Sequence, residues 1–112
     1  MRNITEQVTE AFFEGRNFKL SNTEVHADCT GVYLKLFGNL IAKRVGERVS
    51  ISLAGYNTST TKERLRGVLS HFNKTLITKK GNVIIKDLET SKEINYTELT
   101  NKFNNEFVIV SR

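Results

Sequence analysis

The chain has 112 residues, of which 38% are hydrophobic and 26% charged, with no proline, one cysteine and a formal charge of +5. That balance is ordinary for a globular chain rather than a disordered one, and its apolar runs are too short to cross a bilayer as a helix. Cys29 has no partner for an internal disulfide, and the opening MRNITEQVTEAFF lacks the apolar core of a secretory signal, so one domain over residues 1–112 in a reducing cytosol is the expectation.

In chain order, Ile4, Val8, Ala11 and Phe12 recur at helical spacing, with Asn3 and Glu6 as a capping pair and Gly15 as a stop. These residues predict a helix over Ile4–Glu14. Phe18–Leu20 and Thr23–Ala27 read as short extended segments. Three strands follow, Gly31–Phe37, Leu40–Val45 and Arg48–Leu53, joined by the two-residue loops Gly38-Asn39 and Gly46-Glu47. If Phe37 faces Leu40 and Val45 faces Arg48, the period of two puts Tyr33, Phe37, Leu40, Ala42, Val49, Ile51 and Leu53 on the core face. The other face then holds Val32, Leu34, Leu36, Ile41 and Val45 among polar residues. It is too apolar to stand in water, so either another element covers it or the chain forms a homodimer through it.

After the loop Gly55–Ser59, Thr60 and Glu63 match a capping box, and Leu65, Val68, Leu69 and Phe72 form the inward stripe of a second helix. On a helical wheel Lys62 and Arg66 flank that stripe on one side, Arg64 and His71 on the other. A hairpin, Leu76–Lys79 and Val83–Lys86, turns at Lys80-Gly81-Asn82. A third helix is expected near Thr97–Asn104 with Tyr96, Leu99 and Phe103 inward, and Phe107–Val110 as a last strand. The fold class is α+β: a single small domain with an antiparallel meander of three strands plus a hairpin, packed with two to three helices.

Catalytic and metal motifs are missing. No nucleophile elbow, glycine-rich phosphate fingerprint or HExxH occurs, and His26-x-x-Cys29 is half of a metal motif. The chain is therefore expected not to be an enzyme and to need no cofactor or metal. Asn3, Asn57, Asn73 and Asn95 begin chance N-x-S/T triplets.

Charge is the informative pattern. Residues 60–80 hold Lys62, Arg64, Arg66, Lys74, Lys79 and Lys80 against Glu63 alone, whereas the first fifteen residues carry three glutamates against Arg2. At the start of the second helix, Tyr56, Asn57, Thr58, Thr60 and Thr61 offer hydroxyls, an amide and helix-end N–H groups, and Lys62, Arg64 and Arg66 add cations. Such a helix start attracts phosphate, and Tyr56 offers a face on which a base can stack. The plainer reading is a capped helix on a solvated basic face. Two functional readings stay open. One is a nucleic-acid binder, for DNA or RNA; the other is a protein that docks on an acidic protein surface.

The blocks GNLIAKR and SISLAGYNTSTTKERLRGVL resemble a family of short, uncharacterised bacteriophage proteins. The shared pattern is G-N-x-I-A at Gly38, Asn39, Ile41 and Ala42, then A-G-(aromatic)-x-T-x-T-T at Ala54, Gly55, Tyr56, Thr58, Thr60 and Thr61, then Arg64 and Leu65. Tyr56 stands where tryptophan is commoner, and Arg66 where asparagine is expected. The resemblance covers about a third of the chain. It implies a phage or prophage origin and hence the host-cell cytosol, with no established activity. In that setting the protein-docking alternative becomes an anti-defence (anti-CRISPR-like) or host-takeover inhibitor.

Overall fold

A computed structural model describes residues 3–53, 58–96 and 107–110. The elements are α1 (Ile4–Glu14), β1 (Phe18–Leu20), β2 (Thr23–Asp28), β3 (Gly31–Leu36), β4 (Asn39–Val45), β5 (Arg48–Ile51), α2 (Ser59–Ser70), β6 (Lys74–Lys79), β7 (Asn82–Asp87), β8 (Glu93–Asn95) and β9 (Val108–Ile109). Six strands form one antiparallel sheet in the order β1-β2-β3-β4-β5-β9, and β6-β7-β8 form a second, smaller one. This is the expected α+β class. The two short extended segments became β1 and β2, and β8 was not anticipated. The expected third helix, with Leu99 and Phe103, lies outside the described residues. Tyr96 is buried, as expected, and its hydroxyl accepts the Leu53 N–H at 2.9 Å.

Helix α1 forms where the pattern put it. Asn3 Oδ1 accepts the Glu6 N–H at 2.9 Å, and Gly15, in the left-handed region, closes the end. Arg44 donates through Nη2 to the Phe12 and Phe13 carbonyls, placing a cation at the helix end that attracts one.

The face assignment of β3 is corrected. The hairpin turns on Phe37-Gly38 rather than Gly38-Asn39, with Leu36 opposite Asn39. A one-residue slip inverts a strand, so Val32, Leu34 and Leu36 point inward, whereas Tyr33 is half-buried and Phe37 is exposed. The reason lies in Lys35: the expected register would have buried its ammonium together with Tyr33 and Phe37, at a large desolvation cost. A bulge then repairs the pairing. Lys35 faces Leu40 but Leu34 faces Ala42, leaving Ile41 as the extra residue. Ile41 and Ala42 are in consequence both buried, and Leu40 only partly so. Val45 does face Arg48, and Val49, Ile51 and Leu53 are inward as expected.

The apolar face proposed for a homodimer is not left bare. Val32, Leu34, Leu36 and Ile41 lie beneath α1 and α2 in the core, and of that set only Val45 is exposed. Leu65, Val68 and Leu69 of α2 join the same core, with Phe72 partly buried against it; Leu76, Val83 and Ile85 of the small sheet continue it.

The two helices lie side by side and run in the same direction. Contacts advance together along both: Arg64 on Thr5, Gly67 against Thr5 and Thr9, and His71 stacked on Phe13 with ring centroids 3.8 Å apart. At Gly67 a Cβ would overlap Thr9 Oγ1 and lie 2.6 Å from Thr5 Cγ2. Glycine costs a helix interior about 1 kcal/mol relative to alanine, and the close approach accounts for its presence.

Gly67→Ala is expected to lower stability by about 1–3 kcal/mol through overpacking, against its better helix propensity. Adding Thr9→Ala should recover part of that loss in equilibrium urea unfolding, a coupling that separate sites would not show. Leu69→Ala should cost about 2–5 kcal/mol in the same melt.

Candidate functional site

The start of α2 lies two residues earlier than the capping box indicated. Thr58, with extended backbone (φ −106, ψ 158), is the N-cap; its Oγ1 accepts the Thr61 N–H at 3.2 Å and lies 2.9 Å from Thr61 Oγ1. Thr60 sits inside the first turn and Glu63 beyond it. Thr58 thus does the capping expected of Thr60, and the Thr61 hydroxyl meets the Thr58 hydroxyl rather than closing the reciprocal half of a box.

The wheel placed the flanks of α2 correctly, but neither flank is simply solvated. On one side Lys62 Nζ donates to Thr78 Oγ1 at 3.3 Å and Arg66 Nε to the Leu76 carbonyl at 2.9 Å, so both cations lie along the edge of β6. On the other side α1 covers Arg64, which is only 6% exposed. Its Nη1 donates to Thr5 Oγ1 at 2.6 Å and its Nε to Thr23 Oγ1 at 3.2 Å, with the exposed Glu63 carboxylate 3.6 Å away. Arg64 is therefore corrected from a phosphate contact to a buried tie between α1, α2 and β2. Tyr56 and Asn57 lie outside the described residues.

The tie points on β6 advance from Leu76 to Thr78 as α2 is followed back from Arg66 to Lys62. The β6–β7 turn therefore lies towards the N-terminal end of α2. That turn carries Lys79 and Lys80. Lys79 is held by Glu93, at 2.9 Å from Nζ to Oε2, and Lys80 is exposed at the turn itself. Lys62, Arg66 and Lys80 thus form a basic strip ending where the helix N–H groups point outward.

On the β4 side of the same first turn is a pocket of about 330 Å³, lined by Leu36, Phe37, Asn39, Ile41, Thr58 and Thr61. It joins the two sequence blocks of the phage-like pattern in space, Asn39 and Ile41 from one and Thr58 and Thr61 from the other. Phe37 and Leu36 were not among the expected site residues. The signal available was an aromatic beside glycine in the loop of a hairpin, read there as the end of a strand.

A second polar group lies at the β2–β3 turn. Asp28 Oδ1 accepts from the Thr30 hydroxyl and from the Thr30 and Gly31 N–H groups, and Oδ2 lies 3.3 Å from His26 Nε2. The Thr30 hydroxyl, then the Thr30 backbone N–H, hold the Asp28 carboxyl below its ordinary value. Those bonds explain it as a turn cap. Among the described residues no three His, Cys, Asp or Glu side chains gather as a metal site, and no helix is long and apolar enough to cross a membrane.

Compared with known protein families, the chain matches the model of the Kyanoviridae Gp96 protein over residues 1–109. Searches among curated proteins and solved structures return no match.

Thr58→Ala should lower stability by about 1 kcal/mol by removing the cap, while Thr60→Ala should stay within about 0.5 kcal/mol. Arg64→Ala should cost about 1–3 kcal/mol by leaving the buried Thr5 hydroxyl without its partner and removing one of the two bonds of Thr23, which keeps Asn22. Arg64→Lys should restore little of this, since one ammonium lacks the fork that reaches both. Parallel urea melts of the four variants check the set.

Proposed function

The chain belongs to the Kyanoviridae Gp96 family of phage proteins, and we propose that it works without catalysis, by binding the phosphate backbone of nucleic acid along its basic strip. The observation that supports this reading is the alignment of Lys62 and Arg66 along β6, with Lys80 placed beyond them at the amino end of α2. Each of the tied cations spends one hydrogen on its own chain and keeps other donors: an ammonium has three and a guanidinium five. A phosphate meeting this strip finds positioned charge, so little side-chain entropy remains to be lost on binding.

Among the described residues, four carboxylates that could compete for the strip are remote or already engaged. Glu93 is held by Lys79, and Glu63 lies beside Arg64 on the other flank. Glu6 and Glu14 belong to α1, on the far side of α2. The strip reads no base edges, so this term is independent of sequence and falls with salt.

Fluorescence anisotropy with a labelled duplex and a labelled single strand tests the reading. Affinity should fall steeply between two salt concentrations. Changing Lys62, Arg66 and Lys80 together to glutamine should flatten the slope of log affinity against log salt by about 0.9 per lost duplex contact and about 0.7 per single-strand contact. Arg64 is left intact because its loss would confound binding with folding. A wild-type protein that binds neither oligonucleotide at low salt overturns the proposal, and the same strip would then be tested on acidic protein surfaces, the anti-defence reading.

A further inference from the structure

We propose that the pocket beside the first turn of α2 holds an unpaired nucleobase stacked on Phe37, so that the nucleic acid recognised is single-stranded. This inference rests on the reading above and adds to it the class of nucleic acid and the residues that receive a base.

Phe37 is where the observations converge. Its side chain is 71% exposed, the largest exposure of any large hydrophobic residue among those described, and its backbone has φ +52 beside Gly38 at φ +80. Two successive left-handed residues make the tight hairpin turn that asparagine and glycine form without strain; a bulky side chain there is an outlier. Most of this ring is in water, in an unfavourable backbone region, at a position where glycine would serve the turn better. A strained, exposed aromatic at the mouth of a pocket points to a ligand with a flat face.

The pocket fits such a ligand. Leu36 and Ile41 supply an apolar wall, as the faces of a base require. Asn39 brings an amide with both donors and an acceptor, and the hydroxyl of the exposed Thr58, held by the buried Thr61, keeps bonding capacity beyond those contacts. An edge of a base needs both kinds of partner, and these residues offer both without fixing which base. The volume of about 330 Å³ is at the small end of ligand pockets.

Charge complementarity selects the occupant. The pocket and the basic strip adjoin at the first turn of α2, where Thr58 of the pocket and Lys62 of the strip are four residues, about one turn, apart. A strand crossing the amino end of α2 would set phosphates against Lys62 and Lys80 and drop a neighbouring base onto Phe37. In a duplex the base would first have to be unpaired and unstacked, a cost that a single strand does not carry.

Phe37→Gly and Phe37→Trp test this. The glycine variant relieves the backbone and should melt at or above the wild type. It should lose on the order of ten- to a hundred-fold affinity for an oligo(dT) or oligo(dA) strand with its salt slope unchanged, because stacking is not a charge effect. Duplex affinity should stay the same. The chain contains no tryptophan, so Phe37→Trp reports from this site alone. It should bind the single strand at least as well as wild type, and its fluorescence should be quenched by the oligonucleotide but not by duplex. Wild-type binding that Phe37→Gly leaves unchanged overturns this inference and leaves the basic strip standing, as does an equal loss on duplex and single strand. Absence of wild-type binding overturns both. Indole fluorescence of the Phe37→Trp variant that responds to a protein partner and to no oligonucleotide overturns the base site in favour of a protein-docking pocket.

Discussion

A charged side chain buried at the junction of three elements sets the terms for the rest of this molecule. Arg64 carries its guanidinium under α1, where it must replace hydration with hydrogen bonds or destabilise the fold. Thr5 on α1 and Thr23 on β2 supply them, so the position of one residue on α2 specifies which turn of α1 lies beside it and which end of the sheet lies below. One turn further along, Gly67 lets the helices approach closely against Thr5 and Thr9, and two turns along His71 stacks on Phe13. A hydrogen-bonded charge, a missing Cβ and a ring stack fix the same parallel helix pair at three heights. An apolar stripe alone would tolerate sliding; these contacts do not.

The sheet responds to this cover. Two helices lying over β2, β3 and β4 need a continuous apolar floor, and the aliphatic series Val32, Leu34 and Leu36 provides it while Lys35 stays at the outer side. The bulge at Ile41 follows from that choice. It turns two consecutive residues of β4 inward and brings the strand back into register with β5, whose inward residues were never in question. The displaced aromatic, Phe37, is thereby left in the turn and held at the mouth of the pocket. The candidate site is thus a by-product of how the core was satisfied: its wall is the end of the buried face, and its rim is the residue the core did not take.

The cations of α2 illustrate how one helix divides labour by angle. Arg64, facing α1, is a structural tie. Lys62 and Arg66, facing β6, bond to the edge of the small sheet, covering backbone and hydroxyl groups of an edge strand that would otherwise be open to pairing with another chain. Their remaining donors face outward beside Lys80. One surface therefore protects a sheet edge and concentrates positive charge at the amino end of a helix.

Much of this was legible in the amino-acid sequence, and what was legible was local. The limits of α1, the Asn3 cap, the Gly15 stop, the inward stripe of α2, a hairpin around Lys80-Gly81 (though Asn82, expected in the turn, pairs with Lys79 and opens β7) and the Val45–Arg48 register follow from periodicity and turn chemistry within a few residues. The N-cap was misplaced because Thr58, Thr60 and Thr61 all suit the role, and only the backbone direction entering the helix selects Thr58. The faces of β3 were inverted because hairpin register depends on which two of three residues take left-handed conformations, a competition settled by keeping Lys35 out of the core. Nothing in the spacing of Arg64 distinguished it from Arg66, since each flanks the same stripe. Only the packing of α1, held by residues nearly sixty positions away in the chain, decided that one arginine would be buried and the other left exposed beside β6.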